Sequence, residues 1–122
     1  MTFVVGNIYS TDHICNEVGS RNHISYLPTK DNRVVAARLR SDMNPHLPDI
    51  ILVGNGSNVM KNARLLAAGG YSVPVFEKVA DKKWVYRGEY RCKRQSFAKS
   101  DIDKYQSLRK DPLTSILFMV PA

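Results

Sequence analysis

Gly54-Asn-Gly56-Ser-Asn58 follows the apolar run Ile50-Ile-Leu-Val53 and precedes a stretch with helical apolar spacing. Backbone N–H groups at such a helix start converge on an anion. The side chains of Asn55, Ser57 and Asn58, with Lys61 one turn further on, add donors for a phosphate. The same turn invites comparison with a dinucleotide-binding fingerprint, since Glu77 lies about 20 residues beyond Gly56, where a ribose-binding acid would stand. The third glycine of that fingerprint is replaced by Val59, and too little α/β alternation follows to build the rest of such a sheet.

Other constellations are weaker. Pro48-Asp49 with Asp81-Lys82-Lys83 supplies the letters of a metal-dependent nuclease, in which two acids hold Mg²⁺ and a lysine polarises water. Asp81, however, falls in a turn-like stretch rather than on a strand. His13, His23 and His46 lack zinc-ligand spacing, and Cys15 and Cys92 form no CxxC pair, so no metal or cofactor is expected and both thiols read as reduced. Nothing in the spacing demands an enzyme. Trp84, Tyr86 and Tyr90 could stack on bases, but their shared strand face reads as core. Arg38 and Arg40, and Arg87, Arg91, Lys93 and Arg94, are candidates for contacts to a nucleic-acid backbone.

The elements that must position these groups come from a chain of 122 residues with 18 Lys+Arg against 11 Asp+Glu, a formal net charge of +7. That size fits one domain, expected over 1–122. A basic excess favours polyanionic partners. The longest apolar runs fall far short of a membrane span, and no basic, then apolar leader opens the chain, so the expected compartment is the cytoplasm.

Residues 3–9 read as a short strand and turn, and Ser10–Val18 as a short helix before Gly19. His23–Leu27 reads as a strand entry. Arg33–Arg40 reads as a strand or a helix; as a strand it sets Arg38 and Arg40 on one face. Asp42–Asp49, with Pro45 and Pro48, is a loop. Ile50–Val53 is a buried strand, Ser57 the expected N-cap, and Asn58–Ala68 a helix with Val59, Ala63, Leu66 and Ala67 on one stripe. Ser72–Phe76 and Trp84–Cys92 form a hairpin with an aromatic inner face and a charged outer one. Ser100 is expected to cap a helix to about Lys110, with Arg109 and Lys110 suiting its dipole. Thr114–Val120 closes the chain as a central strand.

Laid out in this order, four segments resemble SRA-like domains of the PUA superfamily, as found in modification-dependent restriction systems. They are Val5-Gly-Asn-Ile-Tyr-Ser10 with Ile14 and Gly19; Val53-Gly-Asn-Gly56 with Asn62-Ala-Arg-Leu65; Val73-Pro-Val-Phe-Glu77 with Trp84-Val-Tyr-Arg-Gly-Glu-Tyr90; and Ile116–Val120. The resemblance implies an α+β fold, a strongly bent mixed β-sheet or partly open barrel with two or three flanking helices. It implies a non-catalytic module that binds DNA, or in a variant RNA, and reads a modified cytosine by extruding it into a pocket. The pocket candidates are Tyr9, Tyr26 and Asn55; the phosphate candidates are Ser57, Asn58 and Lys61, then Arg38 and Arg40. The alternatives are a small-molecule or nucleotide-binding domain using the Gly54–Asn58 turn, or a protein-interaction subunit.

Overall fold

The computed structural model describes residues 3–122. Its elements run β1 (Ile8–Ser10), α1 (Thr11–Val18), β2 (Thr29–Lys30), β3 (Arg33–Val34), β4 (Ala37–Leu39), β5 (Ile50–Val53), α2 (Ser57–Gly69), β6 (Ser72–Ala80), β7 (Lys83–Ser96), α3 (Lys99–Gln106) and β8 (Ser115–Pro121).

The main sheet follows the order β4-β6-β7-β8-β5, with β1 pairing the first residues of β7. Strand β7 is the spine. One of its edges carries β6; the other carries β1 at residues 83–85 and β8 at residues 90–96. Only β4 and β6 run parallel, so the sheet is mixed and does not close into a barrel. Strands β4 and β5 terminate the path, yet just ten residues separate them in sequence and their side chains line one cleft. The sheet therefore curls until its two ends face each other across a gap.

Local chemistry explains each anchor. Ser10 caps α1 by accepting from the His13 N–H, and Gly19 ends it at φ +77°, a conformation that favours glycine. The β2–β3 turn uses Asp31 and Asn32 at φ +52° and +60°, the residue types that tolerate that region best. On the concave side of the sheet, Leu39, Ile51, Val53, Leu66, Val73, Val75 and Leu117 are fully or almost fully buried together. A second cluster joins Phe3, Ile14, Phe76, Trp84 and Tyr86, so the aromatic face of β7 does serve as core.

Several expectations are corrected. His23–Leu27 is not a strand: the Asn22 side-chain carbonyl accepts from the N–H groups of both Ile24 and Ser25, which folds the chain into a tight turn. Arg33–Arg40 is broken into β3 and β4, which belong to different sheets. Gly56, not Ser57, is the N-cap of α2, and no side chain caps it. Helix α3 starts after Ala98 and ends at Gln106, so Ser100 lies inside it and Arg109 lies beyond it.

Candidate nucleic-acid interface

A cleft of about 690 Å³ opens between the ends of the curled sheet. Strands β4, β5 and β7, helix α2 and the loops around them wall it. Strand β4 contributes Arg38, with Arg40 just past its end; β5 contributes Leu52, with Gly54 just past its end; and α2 contributes Asn58, Val59, Lys61 and Asn62. The segment 22–29 supplies Ile24, Ser25 and Tyr26, the 41–49 loop supplies Met43 and Asn44, and Trp84 and Arg109 complete the lining. Four of these side chains are cationic, and no carboxylate is among the lining residues.

Arg38 organises the floor. It is 3% exposed, and its Nη2 donates to the backbone carbonyls of Asn22 (2.7 Å) and Ser25 (2.8 Å), while Nη1 donates to Cys15 Sγ (3.5 Å). Its guanidinium lies 5.9 Å from the Trp84 ring. Burial drives its pKa below the ordinary arginine value, with the Cys15 sulfur opposing the shift. Among the described residues, its Nε–H has no acceptor.

The strandless segment 20–28 is nevertheless held by side-chain hydrogen bonds. Asn62 donates to the Leu27 carbonyl (3.1 Å), the Tyr26 hydroxyl donates to the Val59 carbonyl (2.7 Å), and the Ser20 hydroxyl donates to the Thr29 carbonyl (3.0 Å). Desolvation raises the Tyr26 pKa, so that hydroxyl stays protonated as a donor. Ile24 stands at the apex of this turn, 96% exposed at the cleft rim. Among the described residues, it is the most exposed of the large hydrophobic side chains.

The opposite rim is built by an ion pair. Arg109 donates from Nε and Nη2 to the two oxygens of Asp111 (2.8 and 2.7 Å), and from Nη1 to the carbonyls of Met43 and Leu52 (both 3.2 Å). Gly54 makes room for this clamp: a Cβ there would lie 2.8 Å from Asp111 Oδ2 and 3.3 Å from Arg109 Nη2. Asn44 Oδ1 accepts from the Leu52 N–H (2.8 Å), leaving its amide nitrogen as a donor on the cleft wall.

The chain was compared with known proteins at three levels. No family model matches it, and no curated protein matches it. Among solved structures, the SUVH5 SRA domain in complex with hemi-methylated CG DNA superposes with a TM-score of 0.65 at 14% identity, covering 100% of this chain and 90% of that one. The fold is SRA-like. This agrees with the architecture implied by the sequence resemblance, the incompletely closed mixed sheet with three helices included.

The SRA-like frame brings together some of the residues singled out from sequence and not others. Tyr26, Arg38, Arg40, Asn58 and Lys61 line the cleft. Asn55 and Ser57 are exposed at the α2 start and outside the lining. Tyr9 sits elsewhere: its hydroxyl accepts from the Val4 N–H (2.7 Å), and its ring meets Phe3 edge-on at 5.0 Å in the second core cluster. Arg38 is a buried bolt rather than a surface contact, and Arg40 is paired with Asp42 through two hydrogen bonds (3.0 and 2.6 Å). Sequence reasoning missed Ile24, Asn44 and Arg109. Arg109 carries a visible signal, an Arg-x-Asp spacing, which pairs it with Asp111 rather than with a helix dipole.

Proposed function

We propose that this chain is a non-catalytic DNA-binding module that receives an extruded, modified cytosine nucleotide in the cleft between β4 and β5. The observation that carries the reading is the cleft itself, lined by Tyr26 and Trp84, four cations and no carboxylate, on a chain of net charge +7. The half-buried Tyr26 recovers part of the stacking lost on extrusion, a few kcal/mol, over the edge of the core residue Trp84, and the cations hold the distorted strand. The SUVH5 SRA domain, which shares the fold, was crystallised on methylated DNA. Ile24 at the rim is shaped for insertion between base steps, as apolar wedges do in kinked duplexes. The module acts in restriction of foreign DNA, as the sequence resemblance suggests, by marking modified DNA for a separate nuclease; co-expressed with that nuclease it should lower plating of phage with modified cytosine, and equal plating of modified and unmodified phage would count against that role.

Anisotropy titrations of duplexes with and without one modified cytosine, at two salt concentrations, test the binding. Modified duplex should bind more tightly at both salts, and Lys61→Glu should weaken binding and reduce the salt slope by about 1. Equal binding to every duplex and to single-stranded RNA would reduce the claim to general electrostatics.

A further inference from the structure

We propose that the modification read in this cleft is an anion, a carboxyl group carried on the extruded pyrimidine, rather than a neutral methyl or hydroxymethyl group. The inference rests on the extruded-base reading above and narrows it. Its ground is an imbalance of charge on the page. Arg40 and Arg109 each have a carboxylate partner, Asp42 and Asp111, outside the cleft lining. Lys61 is exposed and forms no ion pair among the described residues.

Arg38 adds a buried positive charge beneath the cleft, acting on a bound group through its field rather than by contact. It is buried at the floor with no carboxylate within ion-pair distance, its charge answered by two carbonyl dipoles and a thiol, and its Nε–H has no acceptor among the described residues. A guanidinium held in a low-dielectric site without a counter-charge is costly, and a bound anion removes that cost.

The chemistry of the base edge agrees. The 4-amino group is common to cytosine and all its 5-substituted forms and does not distinguish them; the substituent at C5 does. Beside neutral groups that both donate and accept, the lining carries Lys61 and three arginines and, among the described residues, no carboxylate. A carboxylated pyrimidine adds two acceptor oxygens and a negative charge, which match that lining.

The test titrates the intact chain with duplexes carrying one central cytosine, 5-methyl-, 5-hydroxymethyl- or 5-carboxylcytosine, with the wild type, Lys61→Gln and Asn58→Asp. Positions 58 and 61 are exposed, so both variants keep the fold. The carboxylated duplex should bind about tenfold more tightly than the hydroxymethylated one, which is of similar size but neutral. Lys61→Gln should lower that preference severalfold. Asn58→Asp, which sets a carboxylate in the cleft, should lower it below about threefold. Methyl- or hydroxymethylcytosine bound as tightly as the carboxylated base would overturn the inference while leaving the extruded-base reading intact. A preference untouched by Asn58→Asp would also overturn it, since the anion would then lie outside the cleft. No distinction between modified and unmodified duplexes in any arm would bring down the underlying reading itself.

Discussion

Arg38, Ile24 and Asp111 show how single residues divide the work of the site. Arg38 ties the 22–25 turn to β4 through the carbonyls of Asn22 and Ser25, the first of which also accepts from the Cys15 thiol (3.6 Å). Arg38→Met keeps the bulk and removes both bonds, and should cost about 2–3 kcal/mol, measured by denaturant unfolding. Ile24 is the opposite case. At 96% exposure it contributes little to folding, so Ile24→Ser should leave stability within about 0.5 kcal/mol. The same substitution should weaken binding to modified duplex severalfold; unchanged affinity would remove the wedge from the account. For Asp111, hydrogen bonding from Arg109 holds the carboxyl below its ordinary 3.8. A depressed folded-state pKa contributes stability that is present above the unfolded value and is lost as pH falls through the folded one. The wild type should therefore lose extra thermal stability below about pH 4, with Asp111→Asn lacking that component. Because Asp111 is 40% exposed, the effect is small and salt-sensitive.

At the scale of elements, the strongest sequence signals were the ones with local causes. Ile50–Val53, the glycine turn, the amphipathic α2 and the alternating β6–β7 hairpin all follow from spacing and turn chemistry, and all are present. What sequence could not show was the segment from Gly19 to Asp49, where order comes from long-range side-chain bonds. Asn62 and Val59 of α2 fix Leu27 and Tyr26 across more than 30 residues of chain, and no periodicity encodes that. Arg38 misled for a related reason: a charged residue next to Arg40 on a short strand looks like surface until the 22–25 turn folds over it. Tyr9 misled because an aromatic near the N-terminus can serve core or pocket equally, and Phe3 and Phe76 claim it for the core. The elements also meet at Gly54, where β5 passes the Arg109–Asp111 clamp. Gly54→Ala should displace the Asp111 carboxylate and destabilise the fold by about 1 kcal/mol. In the Asp111→Ala background the added cost should be much smaller, a non-additivity that a double-mutant cycle measures.

Over the whole molecule, the curled sheet leaves a cleft between its two end strands. Its end strands β4 and β5 do not pair, and the 41–49 loop, segment 22–29 and α2 line the gap between them. On the proposed reading, the net charge of +7 draws a polyanion to that gap, and Tyr26, Trp84 and the cationic lining select what enters it. Trp84 is the sole tryptophan of the chain and lines the cleft, so its emission reports directly on occupancy. The most direct test titrates the protein with modified and unmodified duplexes and follows Trp84 fluorescence and anisotropy together. The account predicts that modified duplex quenches or shifts the Trp84 emission in step with binding, while unmodified duplex binds with little change. Full binding of modified duplex with an unaltered Trp84 signal would place the DNA elsewhere on the surface and contradict the claim that the cleft receives a base.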